Sequence, residues 1–187
     1  IERILRKSPM PLYLKLPEVV DQHAYNHRRW EELLANGEMG VYSPNRLETD
    51  RFGHLVMSPW ASARHGIFQS EVISLFGKLL PGGRTITECP VSTSDGVKFV
   101  DAAWMSRDRF EPMREFSVFE NAPEICVEVI SPSNTRAEMD EKRALYFEIG
   151  CVEFWTVDAS GKVHFFMAEG EHEASLLCPG FPIQLEI

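Results

Sequence analysis

Apolar and polar positions along this chain follow two periods, and the switches between them lay out its elements. Between residues 60 and 80, Ile67, Val72, Ile73, Leu75, Phe76, Leu79 and Leu80 recur at helical spacing, and Pro81-Gly82-Gly83 stops the run. An earlier helix is predicted over 22–35, with Asp21 as its N-cap and Asn36-Gly37 at its end. Strand patterning then takes over. Residues 85–91 and 97–104 flank Ser94-Asp95-Gly96, a hairpin signal. Residues 125–130 form the short apolar run of a central strand. A helix is predicted over 136–149, capped by Asn134 or Thr135, with Gly150 where a left-handed residue is wanted. A strand over 152–158, a turn at Ala159-Ser160-Gly161 and a strand over 162–167 follow.

The remaining segments are less regular. Residues 54–58 read as a short strand, 39–48 fit neither period, and the tail mixes short strands with Gly and Pro. The first 20 residues carry Pro9, Pro11 and Pro17 and are expected to be extended. Residues 107–122 read as a polar, proline-containing loop, expected to be mobile. Strands and helices alternate without internal repeats, which predicts an α/β fold: a mixed central sheet flanked by helices, with additional hairpins. Residues 1–45 are read as an N-terminal extension with the first helix, and 46–187 as the main domain, the whole packing as one unit.

Composition narrows the function classes. The 187 residues, 44% of them apolar, suffice for a full core. A net charge of -9 opposes a phosphate backbone. Two basic clusters, Arg3/Arg6/Lys7/Lys15 and Arg107/Arg109/Arg114, can override that sum locally. Cys89, Cys126, Cys151 and Cys178 form no CxxC pair and sit in apolar contexts, as reduced core residues do, so the expected location is the cytoplasm. No apolar stretch approaches the ~18 residues of a membrane span, so no membrane partner is expected.

The chemistry centres on one acid. Glu128 interrupts the apolar run Ile125-Cys126-Val127-Glu128-Val129-Ile130. A carboxylate out of water is costly unless it is paired, hydrogen-bonded or bound to a metal, so Glu128 is read as a ligand or a base. Asp101 ends the run Val97-Lys98-Phe99-Val100. If the two strands pair, the two carboxylates can point to the same side at the same level, and a cation between them relieves their repulsion. Hard oxygen ligands of this kind suit Mg²⁺, with Mn²⁺ able to take its place, and the Val129 backbone carbonyl could complete the set. On the following helix, Met139, Lys142, Tyr146 and Ile149 share one face, which turns Lys142 inward. An inward lysine can orient water or stabilise transition-state charge, and a snorkelling lysine is the structural alternative.

These residues also carry a resemblance. Leu55-Val56-Met57-Ser58-Pro59, Arg64-His65, Val100-Asp101, Val127-Glu128-Val129-Ile130-Ser131-Pro132-Ser133, Asp140-Glu141-Lys142, Tyr146 and the run from Gly150 to Asp158 together resemble the Uma family of restriction endonuclease-like proteins, within the PD-(D/E)XK nuclease superfamily. The resemblance spans about residues 48–166. It implies a restriction-endonuclease-like core and Mg²⁺-dependent hydrolysis of DNA phosphodiesters, with Asp101 and Glu128 as the two acids and Lys142 as a lysine moved from strand to helix. Glu48 would be an accessory ligand acting through water. His65 and Gln69 would be accessory residues of the long helix. Val100 stands where the family has proline, and Ile130 stands where the superfamily has its lysine.

Other candidates have plainer readings. His23 and His27 are spaced for zinc, but no third ligand lies nearby and a solvated helix face accounts for them. Ser131-Pro132-Ser133 lacks a glycine elbow and reads as a capping turn. Glu153 and Asp158 read as strand ends, and Trp104, Phe154 and Trp155 as core. The first hypothesis is therefore a Mg²⁺-dependent DNA endonuclease, acting as a homodimer because a duplex needs two cuts. The second is a nuclease fold kept as a binding or regulatory module, motivated by the acidic charge and Val100. A third is a metal hydrolase acting on a small phosphorylated molecule.

Overall fold

The computed structural model describes residues 19–36, 47–57 and 61–186. The proline-rich start, its basic cluster, most of 39–48, and residues 58–60 lie outside the described residues. Helix α1 (Gln22–Ala35) begins as expected, with the Asp21 carboxylate accepting from Ala24 N at 2.9 Å. Strands β1 (Leu47–Thr49) and β2 (Leu55–Met57) pair antiparallel. Helix α2 (Ala63–Leu79) is capped by Ser62.

Six strands form the main sheet: β3 (Gly83–Thr93), β4 (Gly96–Ser106), β5 (Ile125–Val129), β6 (Glu153–Val157), β7 (Val163–Met167) and β8 (Gly170–His172), adjacent in chain order. All neighbours are antiparallel except β5 and β6. That parallel pair needs a crossover, supplied by helix α4 (Arg136–Glu148). Thr135 and Glu138 form a capping box at its start, and Gly150 (φ 92°) follows its end.

Strand β5 is buried throughout, and its alternation feeds two cores. Ile125, Val127 and Val129 face the α2 side with Phe68, Val72, Phe76 and Trp155. Cys126 faces the α4 side with Tyr146, Ile149 and Phe154. The buried line of α2 runs through Phe68, while Ile67 is 50% exposed, so the helix is turned from the predicted stripe. Phe68, Val72 and Phe76 are spaced by four, and this narrower line is what meets the sheet. All four cysteines are buried and free, as expected.

One expectation is corrected. Residues 107–122 are not an irregular polar loop: they form helix α3 (Arg107–Phe110), a 3-10 turn (Glu111–Met113) and a packed return. Met113, Val118, Phe119 and Ala122 are buried. Phe119 bonds the backbone of β3 itself, donating to Pro90 O at 3.0 Å and accepting from Ser92 N at 2.8 Å. Its apolar residues follow neither period because they fill a sheet edge rather than form a stripe or a strand. The histidines of α1 also face the protein: His23 contacts Ser92 Oγ at 2.8 Å and His27 contacts Glu120 at 3.2 Å. Among the described residues, no helix is long and apolar enough to cross a membrane.

Candidate active site

The register of β4 and β5 pairs Ala102 with Val127, and one step further brings Asp101 to the level of Glu128. Asp101 is fully buried, and its Oδ2 accepts from Val129 N at 2.7 Å. The Val129 amide thus reaches Asp101. Alternation sends Glu128 to the α4 face, where it is 3% exposed. There Tyr146 Oη donates to it at 3.0 Å, and Lys142 Nζ lies 3.3 Å away. Burial holds the Tyr146 phenol well above its usual range, and the charges of Glu128 and Glu48 push it the same way.

Lys142 points inward, as its place on the helix predicts. Its Nζ lies 3.0 Å from Glu48 and 3.3 Å from Phe99 O, so one ammonium spans β1, β4 and β5. Glu48 is held in turn by Phe99 N, which donates to it at 3.1 Å. Strand β1 lies close against the hairpin turn: a Cβ at Gly96 would run into Thr49 O and Asp50 O. Val97 N donates to Thr49 Oγ1 at 2.9 Å and Lys98 Nζ to Thr49 O at 3.1 Å, fixing the same approach. Glu48 and Lys142 open onto a cavity of about 420 Å³, also lined by Lys98, Ser131, Asn134 and Glu138. Its wall carries four acids (Glu48, Asp95, Glu138, Glu141) and two lysines (Lys98, Lys142).

A second group gathers around Asp101. His65, in the first turn of α2, places Nε2 3.4 Å from Asp101 Oδ2. Gln69, one turn on, donates to Glu88 at 2.9 Å and to Asp101 O at 2.5 Å. Ligand atoms of His65, Glu88 and Asp101 lie within 4.8 Å of one another, and Glu128 is outside that cluster.

Glu88 was missed by sequence reasoning, for a physical reason. Ile86 and Cys89 pack against one core cluster although a strand of strict period two puts them on opposite faces. Val100 and Ala103 do the same on β4. The phase breaks between them, at Glu88, whose φ is 48°. The signal that finds Glu88 is the hairpin itself: pairing from Thr93 and Gly96 at the turn, through Cys89 with Val100, puts Glu88 at the level of Asp101.

The mixed six-stranded sheet and its flanking helices define an α/β fold. The chain is similar in structure to a putative nuclease belonging to DUF820 from Anabaena variabilis, with a TM-score of 0.59 and 17% identity over 72% of this chain and 80% of that one. The model of the Uma2 family, described as "Putative restriction endonuclease", matches residues 30–180, and the chain belongs to that family. No curated protein matches it.

Proposed function

We propose that this protein is a metal-dependent endonuclease that hydrolyses phosphodiester bonds in DNA, with Asp101, Glu128 and Lys142 as its catalytic residues. The observation that carries this reading is Lys142: a cation from a helix reaches a carboxylate buried in the central sheet and also lines an open cavity. The donor types fit a hard divalent ion such as Mg²⁺ or Mn²⁺, since both are carboxylates and the two residues stand at one level of β4 and β5, although Glu128 turns to the α4 face and Asp101 lies beside His65 of α2. When bound, such an ion lowers the pKa of a water and neutralises charge on the phosphoryl group. The acidic wall makes the same demand, because a phosphate entering it needs a positive partner.

The protein's own residues divide the remaining work. Asp101 and Glu128 would hold the ion, with the Val129 amide fixing Asp101 and Tyr146 fixing Glu128. Lys142 orients the attacking water by hydrogen bonding and stabilises negative charge as it grows on the phosphoryl oxygens. Glu48 positions Lys142 and is an accessory residue; so are His65 and Gln69 on the other side of Asp101. A two-fold homodimer would supply the second cut. Four buried free thiols fit a reducing, cytoplasmic compartment.

The acidic cavity wall also favours a second reading, a binding or regulatory module without turnover. Plasmid DNA incubated with the protein and Mg²⁺ or Mn²⁺ separates the two. Cleavage is expected, and Asp101→Asn or Lys142→Met lowers its rate by about 10²-fold or more. Absence of cleavage by the wild-type protein supports the module, and equal rates in the variants overturn the residue assignment.

A further inference from the structure

We propose that His65, Glu88 and Asp101 together bind one divalent transition-metal ion, and that His65 makes the protein prefer Mn²⁺ over Mg²⁺. This rests on the metal-dependent reading above: it keeps Asp101 as a ligand and brings in His65 and Glu88, with Glu128 outside the cluster.

Three independent elements converge here: α2 supplies an imidazole, β3 one carboxylate and β4 another. Their ligand atoms lie within 4.8 Å of one another. Around an octahedral ion with bonds near 2.1 Å, adjacent ligand atoms sit about 3 Å apart and opposite ones about 4.2 Å apart. The 3.4 Å between His65 Nε2 and Asp101 Oδ2 suits neighbouring ligands.

The cluster is built rather than incidental. His65 is 5% exposed and Asp101 0%. The break in strand phase at Glu88 changes which way its side chain points relative to a regular strand. Gln69 then ties its carboxylate to the backbone of Asp101. A carboxylate oriented by an amide donor is the outer-shell arrangement metal sites use to fix their ligands.

The ligand types decide the ion. Carboxylates alone suit Mg²⁺, which takes oxygen ligands and holds its waters; a ring nitrogen is a poor partner for it. One imidazole with two carboxylates is a mixed set: the carboxylates suit Mn²⁺, and Mn²⁺ stands at the start of the first-row series whose later members imidazole prefers, whereas Mg²⁺ stands outside it.

Calorimetric titration of the full chain with Mn²⁺ and with Mg²⁺ tests this without using activity. The wild-type protein is expected to bind Mn²⁺ at least about tenfold more tightly than Mg²⁺. His65→Asn is expected to weaken Mn²⁺ about tenfold while moving Mg²⁺ by less than about threefold, collapsing the preference. Glu88→Gln weakens both ions about tenfold. A purely structural ion pair between His65 and Asp101 would lower the melting temperature of His65→Asn without changing the Mn²⁺/Mg²⁺ ratio, and that result overturns the proposal. If His65→Asn does not fold, unchanged Mn²⁺ affinity in Glu88→Gln overturns it equally, and so does a wild-type protein that binds neither ion. Should Mn²⁺ bind with these dependences while plasmid DNA stays intact, the nuclease reading fails and the metal site stands.

Discussion

Glu128 and Glu153 stand on adjacent parallel strands, both in apolar runs, and both are buried. Their partners differ in kind. Glu153 accepts from Trp155 Nε1 at 2.7 Å, Leu176 N at 2.8 Å and Leu177 N at 2.7 Å. Three fixed N–H donors satisfy it and pin the C-terminal segment to the sheet. Glu128 meets the ends of two side chains, the Tyr146 hydroxyl and the Lys142 ammonium, and Lys142 borders a cavity. Burial therefore does not separate a structural acid from a candidate chemical one. The charge of the partners and their access to a cavity do, because a reacting group needs a path to its ligand.

Two substitutions sharpen this contrast. Glu153→Ala leaves three N–H groups without an acceptor, two of them backbone, and is expected to cost about 3–4 kcal/mol in urea unfolding. A loss under about 1 kcal/mol would mean the clamp is dispensable. Tyr146→Phe keeps the packing and removes hydrogen bonds to Glu128 and Phe99 O, costing about 1–2 kcal/mol at neutral pH. It also changes the alkaline limb. Tyr146 is raised in the folded state, chiefly by burial and then by Glu128 and Glu48. Stability from its neutral form is thus fully present below the unfolded value of about 10 and is lost as pH rises toward the folded one. Between pH 9 and pH 11, wild-type stability should fall more steeply than that of Tyr146→Phe, and parallel curves would show that the phenol does not titrate with unfolding.

Much of the fold is legible in the chain, because period and punctuation coincide. Asp21, Gly150 and Ser94-Asp95-Gly96 mark ends that the structure keeps. The inward turn of Lys142 is legible too, since its helical stripe is short and clean. Residues 107–122 were not legible, because edge-filling apolar residues such as Met113 and Phe119 have no period. Glu88 was hidden by the local break in strand alternation, although hairpin counting reaches it. Glu153 shows the limit of reading burial alone: its tail partners, Leu176 and Leu177, lie more than 20 residues away and leave no local mark.

The most direct measurement is divalent-dependent cleavage of plasmid DNA by the wild-type protein and by Glu128→Gln, with the melting temperature of each recorded. Gln preserves the volume and can still accept from Tyr146, so stability should change by about 1 kcal/mol or less while cleavage falls by about 10²-fold or more. A folded Glu128→Gln protein that cuts DNA at the wild-type rate would contradict the account.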